Sequence, residues 1–409
     1  MTKKLNFLIN NQFDIVNFKN YQTNKIKVKK NIETISKNIN YTKNIFYSFS
    51  KNFKYTFSIN DLKKFQKYKV VIIIGMGGSS LGSKAVYSFL KHKVKKKFIF
   101  FENLDVVQIQ SVKKKYNFKN SLFIIISKSG NTHETLLNFS VLKSNNINNK
   151  NTIIITEKNN NQLYQYSKKE KISLYEHRNF IGGRYSVFTE VAMLPAQLMG
   201  LNTKALSKYS QDYLKGKKKK HLIDNVSKIK YFFTAKNMSS IILLNFCPQL
   251  NDFLFWCQQL IAESLGKKGQ GLLPVVSSAP KDHHSLLQLY LDGPKDKLFY
   301  IFSADKKSNI FSKKNLFGPT FSITNKEDLT KIINAQKDAI KEALKDKKIP
   351  FREFTISSFD EKVLGELFSY FMLETYLIGK LMGINPLDQP AVEKVKILTK
   401  KNLLKNSQK

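Results

Sequence analysis

The stretch Lys69–Gly82, K-V-V-I-I-I-G-M-G-G-S-S-L-G, constrains the fold of this chain more than any other. The run Val70–Ile74 is continuously apolar and mostly β-branched, the pattern of a parallel-sheet strand buried on both faces. It passes straight into Gly75, Gly77 and Gly78, then Ser79 and Ser80. A helix is expected from about Leu81 to Leu90. A glycine-rich turn from strand to helix gathers several backbone N–H groups in one arc, where the helix N-terminus adds partial positive charge. Such a turn suits an anion, most often a phosphate. The alternative is a tight turn that merely needs small residues.

The same alternation continues. Strands are expected at Phe98–Phe101, Leu122–Ile126, Thr152–Ile155 and near Ile172–Leu174, with helices at Val106–Tyr116 and Thr132–Lys143 between them. Strand–helix alternation of this kind means parallel α/β units. Lys158–Gln162 is a polar run, read as a loop or a helix start. Helices follow over Tyr185–Gly200, Ala205–Leu214 and Leu222–Phe233. The basic run Lys217–Lys220 marks the best divide. A second α/β set then has strands at Ile241–Asn245, Leu298–Phe302 and Phe351–Ile356. Its helices are expected at Leu250–Leu265, Leu286–Leu291, Asp328–Leu344, Lys362–Met382 and Val392–Leu404. The fold class is thus α/β, two similar parallel-sheet layers flanked by helices. Residues 1–60, rich in Asn, Lys, Phe and Tyr, are expected to be helical.

The formal net charge of +39 raises the question of nucleic acid. The lysines are dispersed, however, and Arg178, Arg184 and Arg352 are the only arginines. Arginine is the preferred fork for phosphates and base edges, so a solvated basic surface is the better reading. Such a field can still steer an anionic substrate. No apolar run is long enough to span a membrane. The N-terminus lacks a signal-peptide pattern, and the two cysteines, Cys247 and Cys257, have neither metal spacing nor a disulfide framework. A reducing, cytoplasmic setting is expected.

Four further stretches carry chemistry. Ser127-Lys128-Ser129-Gly130-Asn131-Thr132 follows the third strand and opens a helix. It repeats the logic of the glycine turn, and two such turns at strand carboxyl ends could converge on one phosphate. The alternative is a capped helix with Thr132 at its N-cap. Gly182-Gly183-Arg184-Tyr185-Ser186 offers a guanidinium beside backbone that can approach a ligand closely. Glu263 falls near the end of a mostly apolar helix, where partial desolvation would favour a base; the alternative is an exposed glutamate paired with Lys267. His283 and His284 sit at a loop–helix junction and point different ways, one a possible proton carrier, the alternative being capping or packing.

Taken together, these residues resemble the glucose-6-phosphate isomerase family. G-M-G-G-S-S-L-G at 75–82 and Ser127–Thr135 look like its phosphate-side turns. G-G-R-Y-S at 182–186 and Q-Q-L-I-A-E-S-L-G-K at 258–267 are similar to its two signature stretches. H-H-S-L-L-Q-L at 283–289 and D-Q-P-A-V-E-K-V-K at 388–396 resemble its histidine and lysine segments. Each match is weak alone; six in family order are not. The resemblance implies two sugar-isomerase (SIS-type) domains, 61–216 and 217–409, after the N-terminal segment 1–60. It implies reversible isomerisation of glucose 6-phosphate and fructose 6-phosphate, in glycolysis and gluconeogenesis, with no metal or organic cofactor. The expected partners are the sugar phosphate and a second subunit, in a homodimer with shared active sites, with neither nucleic acid nor membrane. Gly78, Ser79, Ser127, Lys128, Ser129 and Thr132 would hold the phosphate. Glu263 would move the proton between C1 and C2, Arg184 would stabilise the cis-enediolate, and His284, from the partner subunit, and Lys396 would assist ring opening. Asn131 stands where the family usually has threonine, Ala391 where glycine is usual, and Val395 where many members have glycine. Competing readings are a dinucleotide-binding enzyme with Glu102 on a ribose, a bifunctional glucose/mannose phosphate isomerase, and a non-catalytic sugar-phosphate sensor. The first is weakened because Ser80 breaks G-x-G-x-x-G.

Overall fold

The computed structural model describes residues 7–13, 18–235, 237–305, 310–311 and 328–406. The first elements among the described residues are strand β1 (Phe7–Gln12) and helices α1 (Phe18–Asn38) and α2 (Ile59–Lys63). A first α/β set follows: β2 (Val70–Ile74), α3 (Leu81–Phe89), β3 (Lys97–Phe101), α4 (Val106–Lys115), β4 (Ser121–Ile126), α5 (His133–Leu142), β5 (Thr152–Thr156), α6 (Gln162–Lys169) and β6 (Ser173–Glu176). Helices α7 (Glu190–Leu198), α8 (Thr203–Ser207) and α9 (Gly216–Thr234) lead to the second set. That set comprises β7 (Ser240–Asn245), α10 (Asn251–Leu265), β8 (Leu273–Ser278), α11 (Leu287–Asp292), β9 (Lys297–Ala304), α12 (Leu329–Asp346), β10 (Phe351–Ile356), α13 (Glu361–Leu381) and α14 (Pro390–Asn406).

The first sheet has the order β3-β2-β4-β5-β6 and is parallel throughout. Its central strands β2, β4 and β5 are almost wholly buried, as their unbroken apolar runs require. The chain leaves β2 for β3 on one side, then returns to β4 on the other. The topological switch point therefore lies between β2 and β4, and their carboxyl ends open into Gly75 and Ser127. In open α/β sheets that crevice is where ligands bind.

The second sheet has the order β1-β10-β9-β7-β8, parallel except for β1, which pairs antiparallel with β10. Two of its strands depart from the sequence reading. Segment 1–60, expected to be helical, also supplies β1. Its F-L-I-N-N-Q sequence is a poor strand former, and pairing with β10 and a bond from Arg352 Nε to Asn11 Oδ1 (2.9 Å) hold it. Strand β8 carries Pro274, which argues against a central strand but is tolerated at an edge, where β8 lies.

Helix α13 is apolar nearly all round and buried along most of its length, the signature of an interior helix. A Cβ on its Gly365 would lie 1.7 Å from the Leu206 carbonyl oxygen, so only glycine admits α8 this closely. Arg352 is fully buried, donating also to Tyr300 and Tyr370 hydroxyls and to Glu374 at 2.8 Å; it is a core fastener, not a surface cation. The run Lys217–Lys220 lies in the first turns of α9, so the chain crosses it as helix. Among the described residues no helix is long and apolar enough to cross a membrane. Helix α10 of the second set packs against α3 of the first, bringing Glu263 to the crevice of the first sheet.

Candidate active site

The glycine turn of the first sheet is built for close backbone approach. Gly77 has φ +54°, and a Cβ there would lie 2.8 Å from Gln259 Nε2 of α10. Gly78 is tighter: its Cβ would fall 2.2 Å from the Gly183 carbonyl carbon and 2.6 Å from Arg184 N. Two glycine-bearing stretches, a hundred residues apart in the chain, thus touch backbone to backbone. Gly78→Ala has no side chain to push aside, so it is expected to destabilise by about 1–3 kcal/mol or more and to lower activity. Chemical denaturation and an activity assay read the two effects; a wild-type midpoint with full activity contradicts the assigned contact.

The two serines of the turn divide their tasks. Ser80 is buried and donates to the Glu102 carboxylate (2.8 Å), whose other oxygen accepts from Lys84 Nζ (2.5 Å). Both oxygens of Glu102 are thereby engaged inside the protein, which leaves the ribose of the dinucleotide reading without its partner. Ser79 is half-buried at the mouth of the turn.

The Ser127–Thr132 loop lies beside it, after β4. Ser127 is buried, its Oγ 2.9 Å from Thr132 Oγ1 and accepting from Gly130 N at 3.2 Å. Thr132 holds the N-cap position of α5 but makes no capping bond with its side chain. The capped-helix alternative is thus not what forms, and the first turn of α5 is left with donors for an anion. Ser129 is exposed; its Oγ accepts from Asn131 N at 3.3 Å. Desolvation holds the Lys128 ammonium below its ordinary pKa; Glu157, with an oxygen 3.8 Å away, opposes that, and the Arg184 charge reinforces it. Two cations that repel one another across a crevice favour an anion between them.

Arg184 joins three elements. Its side chain is 1% exposed, and all five guanidinium N–H groups are donated within the protein. Nε bonds Ser264 Oγ at 2.9 Å and Nη1 bonds Glu263 Oε2 at 3.0 Å and Gln389 Oε1 at 2.5 Å. Nη2 bonds the carbonyls of Pro386 at 2.7 Å and Asp388 at 3.1 Å. Glu263 is 30% exposed and its Oε1 accepts from Gln259 Nε2 at 3.0 Å. The carboxylate is therefore oriented from both sides while still open to the crevice. Lys267 does not pair with Glu263; its Nζ lies 2.8 Å from Asp388 and also bonds the Asn385 carbonyl. Sequence reasoning missed Gln259, Ser264 and Gln389. All three lie within or beside quoted stretches, but only the fold makes them neighbours.

The remaining candidates stand apart. His284 is exposed on the turn Lys281–His284 after β8, whereas His283 faces inward against Phe246 (ring centroids 5.6 Å apart). Among the described residues no hydrogen bond or ion pair joins His284 to Glu263, whose partners are Arg184 and Gln259. Lys396 belongs to α14, and its side chain lies outside the described residues. Val395 is exposed on the same helix. Among the described residues no cluster of His, Cys, Asp or Glu could hold a metal. Cys247 and Cys257 are buried free thiols, and burial pushes Cys247 up to about 12.

His177, at the end of β6, was not singled out by the sequence. It is fully buried, Nδ1 is 3.3 Å from the Arg178 carbonyl, and Nε2 has no partner. Burial, with the Lys128 charge second, lowers its pKa from 6.5 to about 4. Between those values the unfolded chain binds a proton that the folded chain does not, so stability falls as pH falls through this window. The denaturation midpoint of the wild type is expected to drop more steeply from pH 6.5 to 4 than that of His177→Gln. Parallel profiles reject this source of acid sensitivity.

Comparison with known proteins places the chain in a family. The phosphoglucose isomerase family model matches residues 4–272. The glucose-6-phosphate isomerase of Methanocaldococcus jannaschii is 30% identical over 84% of this chain and 86% of its own. That of Campylobacter jejuni is 32% identical over 81% of this chain and 84% of its own. The crystal structure of a glucose-6-phosphate isomerase from Chlamydia trachomatis superposes with a TM-score of 0.78 at 14% identity, covering 99% of this chain and 89% of that one, which speaks to the fold. With its glycine turn, its arginine-held glutamate and these relatives, the chain belongs to the phosphoglucose isomerase family.

Proposed function

We propose that this protein interconverts glucose 6-phosphate and fructose 6-phosphate, with Glu263 as the proton carrier. The observation that carries the reading is the contact of three distant stretches at the β2/β4 switch point. There a carboxylate, held by Arg184 Nη1 at 3.0 Å, stands beside two anion-seeking turns. Gly78, Ser79, Ser127, Lys128, Ser129 and Thr132 would receive the phosphate, which anchors the unreacting end of the sugar. Glu263 would take the proton from C2 of the open-chain aldose. The electron pair moves toward the carbonyl oxygen O1 and gives the cis-enediolate; a proton passes between O1 and O2, and Glu263 returns its own to C1. One carboxylate thus serves as base and then acid. With every Arg184 donor spent within the protein, its part is to orient Glu263 and to stabilise the enediolate through the field of its charge.

His284 would act at the ring oxygen in the active site of a second subunit, which suits its exposure, and Lys396 would assist from α14. Action of His284 in trans requires a homodimer with shared sites; the reading further takes the chain as two domains, 61–216 and 217–409, of a cytoplasmic enzyme. Purified protein given fructose 6-phosphate, with glucose 6-phosphate read by a coupled dehydrogenase, tests the proposal. Turnover with a chelator present is expected. A folded dimer that binds the sugar phosphate without turnover overturns it in favour of a sensor.

A further inference from the structure

The polar run after β5, E-K-N-N-N at 157–161, has no part in the chemistry above, yet it lies directly against the Ser127–Thr132 loop. Four donors run from this connection to that loop. Glu157 N and Thr156 Oγ1 bond the Lys128 carbonyl at 3.1 and 3.3 Å. Leu163 N bonds the Gly130 carbonyl at 3.2 Å, and Gln162 N bonds Asn131 Oδ1 at 3.0 Å. Gln162 and Leu163 are the first residues of α6, whose opening N–H groups have no partner within the helix. The next one, Tyr164 N, is capped by Asn161 Oδ1 at 2.9 Å. Helix α6 therefore spends its free N–H groups on the loop, while neighbouring α5 has no side-chain cap on its first turn.

Asn161 is the fixed point of this arrangement. It is buried, and its Nδ2 closes the connection by donating to the Glu157 carbonyl at 2.9 Å and to Asn159 Oδ1 at 2.6 Å. Its Oδ1 occupies the space a side chain at residue 130 would need. A Cβ on Gly130, which has φ +65°, would lie 1.7 Å from that oxygen. Asn131, where the resemblance leads one to expect threonine, turns its carbonyl to α6.

We infer that Asn161 and Asn131 are positioning residues that clamp the loop, setting Ser127, Lys128 and Thr132 in the geometry that receives the substrate phosphate. The clamp has this meaning only if the loop is the phosphate site proposed above. Its elements touch neither Glu263 nor Arg184 through any bond described, so loosening it should weaken phosphate binding and spare proton transfer.

The test measures KM and kcat for fructose 6-phosphate and the inhibition constant of inorganic phosphate, in Asn131→Ala, Asn161→Ala, Asn161→Ser and Thr132→Ala. For Asn131→Ala and Asn161→Ala, KM and the phosphate constant should rise together by about fivefold, with kcat within about twofold. Asn161→Ser keeps a capping oxygen and should stay nearer the wild type. Asn131 is exposed, so its variant keeps the test decisive should Asn161→Ala fail to fold. If Thr132→Ala weakens phosphate binding while Asn131→Ala leaves it unchanged, the clamp is wrong and the phosphate site stands. If neither variant changes the phosphate constant, the loop is not the phosphate site and the clamp falls with it.

Discussion

Replacing Glu263 by glutamine is expected to lower kcat for fructose 6-phosphate by about 10²- to 10⁴-fold, the usual worth of a positioned general acid–base group. Glutamine is nearly isosteric. Its carbonyl oxygen can still accept from Arg184, whose Nη1 now lies 3.0 Å from the carboxylate, so the loop Pro386–Gln389 should remain docked. What is lost is a group that can hold a proton between its two positions on the sugar. The inhibition constant of inorganic phosphate should hardly change, because the phosphate turns lie on other elements. A variant that keeps more than about a tenth of wild-type turnover removes Glu263 from the role of essential base.

Arg184→Lys should cost nearly as much, and for a different reason. Lysine keeps the positive charge but presents a compact ammonium in place of a planar fork. It cannot serve Ser264, Glu263, Gln389 and the Pro386 and Asp388 carbonyls at once. Several buried acceptors then lose their donors, each worth about 1–3 kcal/mol when left unsatisfied. The partial exposure of Glu263 lets water relieve part of that. Activity is expected to fall by at least about 100-fold with a lower denaturation midpoint, as the carboxylate and the loop lose a common anchor. Wild-type kcat in a folded Arg184→Lys protein means that charge alone suffices, and the bracing role assigned to the guanidinium is wrong.

The buried strands were legible because burial on both faces writes itself as an unbroken apolar run. Val70–Ile74, Leu122–Ile126 and Thr152–Ile155 all match strands of the first sheet to within a residue. The edge strands of the second sheet were not legible, whereas those of the first, β3 and β6, were. Strand β1 is made of Asn and Gln as much as of apolar residues, and β8 contains Pro274; each is a strand because of what it pairs with. The glycines of the turn were visible as glycines, but the reason for Gly78 lies in Gly183, far along the chain. The same holds for the site. Glu263 and Arg184 could be picked out singly, whereas their bond, and the place of Gln259 and Gln389 beside them, depends on α10 packing against α3. Thr132 was expected to cap α5 or to hold a phosphate, and only its geometry separates the two. His284 is legible only through its segment; within one chain it faces solvent, so the role proposed for it depends on a surface a single chain does not contain.

An exchangeable carboxyl is assigned to carry the proton, and isomerisation in deuterium oxide tests that assignment without any substitution. Glu263 is 30% exposed, so its acid form can trade its proton with solvent before returning it to carbon. Glucose 6-phosphate formed from fructose 6-phosphate in deuterium oxide is predicted to carry deuterium at C2, detected by proton NMR as loss of the C2 signal. Full conversion to a product with no deuterium at C2 would mean that the hydrogen never resides on a group in exchange with solvent, and would contradict a solvent-open Glu263 as carrier.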